Sequence, residues 1–208
     1  MRKEVNLDEW NRKDHFEFYS QFSEPFLGIT AKIDCSIAFN TSKSKSYSFF
    51  LYYLHKTLVA ANSIDNFRYR IDNGKVYEYD TINASPTIGR ENGTFGFSYL
   101  DYNSDFHKFC TLAAPRIKEV KASNSLMPAL TGVDVIHFSS LPWVDFTSIS
   151  HARHYDFQDS CPKISFGKMI TVDAKQMMSV SVHVHHGLMD GLHVGLFFEK
   201  LQELMLES

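Results

Sequence analysis

The hydrophobic pattern changes period near the end of the chain. Val180, Val182 and Val184 alternate with Ser179, Ser181, His183 and His185, the period-two signature of a strand with one buried face. From Val194 onward the apolar residues fall at Val194, Phe197, Phe198, Leu201, Leu204 and Met205. That is helical spacing, and Asp190 stands where a helix cap is expected. A strand therefore feeds a helix through His186-Gly187-Leu188-Met189-Asp190-Gly191. This connection combines an imidazole, of the kind that titrates near neutral pH, with a carboxylate four positions on and two permissive glycines.

Upstream, Trp10, Phe16, Tyr19 and Phe22 recur among charged residues, predicting an amphipathic helix over 8–22 that Pro25 ends. Leu27, Ile29, Ala31 and Ile33 alternate as a strand, and 40–47 is rich in Ser and Lys and reads as a loop. Phe49, Phe50, Tyr53, Leu54 and Leu58 form the face of a strongly apolar helix. Strands at 67–71 and 75–79 flank Asp72-Asn73-Gly74, a hairpin signal because both turn positions need positive φ. Phe95, Phe97 and Tyr99 predict another strand. A helix is expected over 105–122, with Pro115 kinking or dividing it. Further strands are expected at 134–138, 148–150, 164–171 and 177–185, the last two joined across Asp173-Ala174-Lys175. Helices and strands mix without strict βαβ alternation. The expected fold is an α/β two-layer sandwich, a mixed sheet with helices packed mainly on one face.

Composition bounds this picture. A chain of 208 residues supports one sizeable core, so one domain is expected over 1–208. With 44% hydrophobic residues and 18 Phe, it has enough apolar material to pack that core and line a pocket. A net charge of -3 offers no general attraction to nucleic acid or anionic lipid. No run of eighteen uncharged apolar residues occurs, and the basic N-terminus lacks an apolar run behind it. A soluble cytoplasmic protein is expected, with neither nucleic acid nor membrane as partner. Cys35, Cys110 and Cys161 are odd in number and widely spaced, which suggests buried thiols rather than a disulfide framework or zinc ribbon.

Two chemical readings compete at the histidine-rich connection. His183, His185, His186 and His193 cluster in sequence as metal ligands would. Strand alternation, however, turns His186 away from His183 and His185, and no Cys or paired carboxylate completes the set. No metal is expected. In the other reading His186 is a general base, against the plainer possibility of a histidine satisfied at a strand end. Asp190 could orient that ring as a triad carboxylate does, or act only on the turn. Ser148 is not set in the Gly-x-Ser-x-Gly elbow of a hydrolase nucleophile, and no Gly-rich phosphate loop exists.

Three segments carry a resemblance. His185 to Gly191 reads His-His-x-x-x-Asp-Gly, followed by Leu192-His193-Val194-Gly195 and Leu201-Gln202-Glu203-Leu204. Near the start stands Trp10-Asn11-Arg12-Lys13-Asp14-His15-Phe16-Glu17-Phe18-Tyr19, and in the middle Leu141-Pro142-Trp143-Val144-Asp145-Phe146-Thr147-Ser148. In this order they resemble the coenzyme A-dependent acyltransferases typified by chloramphenicol acetyltransferase, over nearly the whole chain. The resemblance implies acetyl transfer from acetyl-CoA to a hydroxyl of chloramphenicol, directly within a ternary complex. It implies trimers whose active sites lie between subunits, the histidine of one facing an acceptor pocket on the next. It assigns His186 as base, Ser148 as donor to the oxyanion, and an ion pair of Arg12 with Asp190 that keeps the turn in shape. Ser165 stands where the family usually has threonine, and Lys168 matches a basic contact to the coenzyme. Ser48-Phe49-Phe50-Leu51 departs from the Lys-Phe-Tyr-Pro of many relatives, so one coenzyme contact is expected to be missing. Phe18 and Tyr19 match aromatic residues of the acceptor pocket, which Thr94 and Phe95 also help line. An acyltransferase of the same fold with another acceptor, such as the catalytic core of 2-oxoacid dehydrogenase complexes, is the alternative. It is weakened because no lipoyl domain or Ala/Pro linker precedes the core. A binder without catalysis has little support, since His186 and Ser148 are both present.

Overall fold

The structure is a computed structural model that describes residues 1–127, 132–153 and 159–207. Its centre is a six-stranded mixed sheet built from β2 (Phe26–Asp34), β5 (Asn83–Gly89), β6 (Phe95–Phe97), β7 (Val135–Ser140), β8 (Lys163–Val172) and β9 (Lys175–His185). The spatial order is β2-β9-β8-β7-β5-β6. The β5/β7 and β7/β8 pairs are parallel, and β2/β9, β8/β9 and β5/β6 are antiparallel. A small sheet of β1 (Arg2–Glu4), β3 (Tyr69–Asp72) and β4 (Lys75–Tyr79) lies beside it in the order β1-β4-β3.

The two faces of the large sheet differ in chemistry because side chains alternate along each strand. Ile29, Val182, Ile164 and Phe138 pair across four strands in one row, and Val182, Ile164 and Phe138 are buried. On this face pack α3 (Phe49–Asn62) and α5 (Gly191–Met205), with Tyr53 stacked 4.7 Å from Phe166 and Phe67 stacked 5.0 Å from Phe197. One residue along, the row Gly28, His183, Lys163, His137 and Ser85 faces the other way. That face is polar, and the segment 141–150 lies across part of it. Leu141 N–H donates to Phe166 O (2.8 Å) and Lys168 N–H to Val144 O (2.8 Å), while Ser179 Oγ bonds Asp145 Oδ1 at 2.9 Å. Gly167 permits this approach: a Cβ there would stand 3.0 Å from Val144 O and 3.1 Å from the Phe146 ring.

Several expectations are corrected. The first helix is not continuous over 8–22: a short 3-10 turn at Leu7–Glu9 precedes α1 (Lys13–Tyr19). The Ser/Lys-rich stretch is not a loop but forms α2 (Ser36–Ser44). Asp34 Oδ1 accepts from Ser36 N–H at 2.9 Å, and Ser42 and Ser44 hydroxyls bond back to Phe39 O and Thr41 O, so the serines are satisfied within the helix. β5 was not foreseen, because Asn83-Ala84-Ser85-Pro86-Thr87 is polar with a proline. Its backbone gains partners from β6 and Leu100 on one side and from β7, fifty residues away in sequence, on the other. Residues 148–150 are irregular rather than a strand. α4 (Phe106–Ala122) is continuous across Pro115, its stripe of Phe109, Ala113 and Val120 buried. The hairpin is as expected, with φ of 50° at Asn73 and 75° at Gly74.

Arg70 ties the small sheet to the large one. It is fully buried, and its guanidinium donates to the carbonyls of Phe67, Tyr69, Val133 and Val135 at 2.6 to 2.8 Å. Charge removed from water is tolerated here because every bond ends on a carbonyl dipole.

Candidate active site

β9 ends at His185, and the next residues leave the sheet in a hydrogen-bonded turn. His186 N–H donates to Pro25 O (2.7 Å), while Leu188 and Met189 N–H both donate to His185 O (2.9 and 3.2 Å). Leu188 and Met189 are fully buried and anchor the turn in the core. Gly187 lets it fold: a Cβ there would meet the His185 ring at 3.1 Å and Phe16 Cα at 3.2 Å. Asp190 then caps α5, Oδ1 accepting from Leu192 N–H at 3.0 Å.

Arg12, just before α1, reaches across to this turn and forks. One nitrogen donates to Asp190 Oδ2 at 2.8 Å and the other to the His186 carbonyl at 3.1 Å. Only 7% of the residue is exposed, so its charge is fixed by these bonds rather than by water. Burial by itself would raise the Asp190 pKa, but the Arg12 hydrogen bond, His193 and the Leu192 amide outweigh it and hold the carboxyl at about 2. Asp190 is thus bound to arginine, amide and His193, whose Nδ1 lies 2.9 Å from Oδ1, and among the described residues it makes no bond to the His186 ring. Of the two roles open to Asp190, the geometry carries the one that holds the turn.

The His186 ring stacks on Tyr19 with centroids 4.1 Å apart and planes 7° from parallel. Its Nδ1 is buried without a hydrogen-bond partner among the described residues. Nε2 is therefore the nitrogen left for a substrate. The neighbouring His185 differs. Its Nδ1 accepts from Gly187 N–H at 3.2 Å and it packs edge-on against Phe26. Burial pushes its pKa down to about 4, and nearby cationic groups add to the effect although Asp159 opposes it. His185 is a neutral, structural ring beside a ring free for chemistry.

The histidines of the metal reading do not converge. His185 is tied to Gly187, His186 stacks on Tyr19, His193 faces Asp190, and His183 stands edge-on to His151 at 4.9 Å. Among the described residues the ligand atoms that do gather are those of His137, Asp159 and Cys161, within 4.8 Å of one another. The Lys163 ammonium donates to both Asp159 Oδ2 and the Cys161 carbonyl, so this carboxylate already has a cationic partner.

The other sequence-predicted residues separate into groups. Ser148 is exposed on the segment over the polar face. That segment follows β9 from Ser179, bonded by Asp145, to His183, whose ring faces the Ile149 backbone. Among the described residues no hydrogen bond joins Ser148 to His186. Ser165 is fully buried between Ser139 and Ser181, its Oγ without a partner among the described residues. Lys168 is exposed at a bulge in β8. Ser48 accepts from Leu51 N–H and caps α3, so the residue replacing a basic one has a structural task. Phe18 is exposed and packs on Tyr19 and Phe22, each 5.1 Å away. Thr94 is exposed and donates its hydroxyl to Asn92 within the 90–94 turn, whereas Phe95 walls a cavity of about 430 Å³.

Sequence reasoning missed the rest of that cavity, which includes His137, His151, Asp159 and Lys163. The available signal was ionisable residues alternating with Ile136, Phe138 and Ile164. Such positions normally face water, and only the overlying segments enclose them.

Comparisons with known proteins identify the family and the fold. A family model described as chloramphenicol acetyltransferase matches residues 2–202. A chloramphenicol acetyltransferase of Clostridium perfringens is 29% identical over 204 residues, covering 96% of this chain and 93% of that protein. A solved chloramphenicol acetyltransferase structure superposes with a TM-score of 0.91 at 33% identity, covering 99% of this chain and 100% of the other. The truncated catalytic core of the 2-oxoacid dehydrogenase multienzyme complex from Thermoplasma acidophilum shares the fold alone, with a TM-score of 0.65 at 10% identity and 98% of each chain covered.

Proposed function

The chain belongs to the chloramphenicol acetyltransferase family, and from that premise we propose that it transfers acetyl from acetyl-CoA to a hydroxyl of chloramphenicol. The observation that carries the reading is the Arg12 fork, which fixes both ends of the turn and leaves one nitrogen of His186 for the reaction. In the proposed step the acceptor hydroxyl donates to His186 Nε2 and loses its proton as its oxygen attacks the thioester carbonyl carbon. A C–O bond forms, and the carbonyl oxygen, now negative, accepts a hydrogen bond from Ser148. Collapse breaks the C–S bond, and the proton passes from His186 to the departing thiolate. Such a base contributes roughly 10²- to 10⁴-fold to rate, and one oxyanion donor roughly 10²- to 10³-fold.

As the family resemblance implies, the proposed site is completed by a neighbouring copy, in a homotrimer. Phe18, Tyr19, Thr94 and Phe95 are proposed to contact the acceptor, with Ser165 and Lys168 serving the coenzyme. The chain is proposed to act as one domain, without a metal, in the cytoplasm. No described helix is long and apolar enough to cross a membrane.

Thiol release from acetyl-CoA, measured with chloramphenicol present and absent, tests the reading. Chloramphenicol-dependent release that His186→Ala removes supports it, and a folded protein that releases no thiol overturns it. A second reading, transfer to a different hydroxyl acceptor, is favoured by one observation: the Lys163–Asp159 ion pair in the cavity wall.

A further inference from the structure

The 430 Å³ cavity on the polar face of the sheet falls within the usual size range of small-molecule sites. One wall is aromatic, formed by Phe95 and Phe97 packed edge to face at 5.6 Å. The floor is polar and ordered by strand register: Ser85 on β5 pairs with His137 on β7, and His137 with Lys163 on β8. Adjacent strands lie about 4.8 Å apart, so a hydroxyl, an imidazole and an ammonium group follow one another at that interval. Thr87 and Ser139 supply further hydroxyls. His151 closes one side, its Nε2 buried without a partner among the described residues.

Charge on this floor is internally balanced. Lys163 donates to Asp159 and to the Cys161 carbonyl, and lies 4.6 Å from the centroid of the Phe26 ring. Burial, reinforced by the Lys163 charge, holds His137 at a pKa of about 4 although Asp159 opposes it, and His151 is held near the same value by burial and its neighbouring cationic groups. Both rings are neutral near pH 7, and a neutral imidazole offers one donor and one acceptor. His151 of the cavity wall packs edge-on against His183, which lies on the same strand as His185 and three positions before His186.

An acceptor that covered this floor with apolar atoms would strip several polar groups of water and return no hydrogen bonds, at about 1–3 kcal/mol for each group left bare. A ring that carries hydroxyls answers both surfaces, its edge bonding to the floor and its face packing on the aromatic wall. We propose that this cavity selects a hydroxyl-rich acceptor of sugar size as a further acetyl acceptor. The proposal rests on the acetyltransferase reading above and uses the same step, with a sugar hydroxyl as nucleophile and free coenzyme A thiol and a sugar acetate ester as products.

The test uses the full chain with acetyl-CoA and, separately, methyl glucoside, methyl galactoside, maltose and chloramphenicol, reading thiol release and the mass of the ester. At least one sugar is expected to be acetylated with saturable kinetics. His137→Phe is expected to shift the ratio of kcat/KM values at least tenfold from that sugar toward chloramphenicol, and Thr87→Val to shift it the same way if His137→Phe does not fold. Acetylated chloramphenicol without any acetylated sugar, or a sugar rate that folded variants leave unchanged, overturns the inference and leaves the family reading intact. No thiol release with any acceptor overturns both.

Discussion

Tyr19 and His186 lie face to face, 4.1 Å between ring centroids and 7° from parallel, although 167 positions separate them in the chain. The tyrosine covers one face of the imidazole. For a residue matched by resemblance to an acceptor-binding aromatic, this stack predicts a second task, to orient the proposed base. Tyr19→Phe keeps the stack and is expected to retain most activity, whereas Tyr19→Ala is expected to lower kcat about tenfold by loosening the ring. A Tyr19→Ala variant that changes only KM for the acceptor would assign the residue to binding alone.

His186→Ala should reduce kcat by roughly 10²- to 10⁴-fold. The melting temperature should change by no more than a few degrees, because the turn is held by backbone bonds and Arg12. Steady-state kinetics and thermal unfolding of the same preparation separate this outcome from misfolding.

Ser148→Ala is expected to lower kcat by roughly 10²- to 10³-fold with KM for acetyl-CoA little altered. The side chain is exposed, so stability should be untouched. Full activity in this variant would remove the serine from the mechanism. Mixing Ser148→Ala with His186→Ala protein should restore partial activity if neighbouring copies complete each other's sites.

Asp190→Asn removes the charge that Arg12 and the helix end require. The expected loss is about 1–3 kcal/mol of stability, read as a lower unfolding midpoint in urea, together with reduced activity. Since the folded carboxyl has its pKa near 2 against an ordinary 3.8, its contribution is present above the ordinary value and lost as pH falls from about 4 toward 2. The variant should lack that acid limb.

At milder acidity the histidines govern stability. His137, His151 and His185 are held at about 4 against an ordinary 6.5. Between those values the unfolded chain binds more protons than the folded one, so stability falls as pH drops from about 6.5 to 4 and then levels off for these groups. Each can contribute up to roughly 1.4 kcal/mol per pH unit in that window. Urea midpoints at pH 7, 5.5 and 4.5 measure the slope, and His137→Phe should reduce it. A midpoint constant over this range would contradict the buried neutral rings.

Much of the site was legible along the chain because its parts are local. A strand of alternating valines, a six-residue connection and a capped helix are specified by neighbours in sequence, and so His186 and Asp190 were placed in the correct turn. The hairpin at Asn73-Gly74 was equally readable, since its dihedral demand is met by those two residues alone. α2 and β5 were not, as neither shows the pattern of its element. Ser42 and Ser44 of α2 are satisfied by its own carbonyls, whereas Asn83 of β5 finds its partners in Tyr99, Tyr102 and Asp134.

By itself the sequence determined the periodicities, the caps and the candidate groups for chemistry in the His186 turn, all of which act over a few residues. Only the tertiary structure decided that Arg12 would fork between His186 and Asp190 and that Tyr19 would stack on the His186 ring. It also made part of the polar face of the sheet the floor of a cavity lined by Lys163 and Asp159. The physical reason is that periodicity tells which face of a strand is polar, while whether that face meets water or a covering segment depends on where remote parts of the chain are pinned.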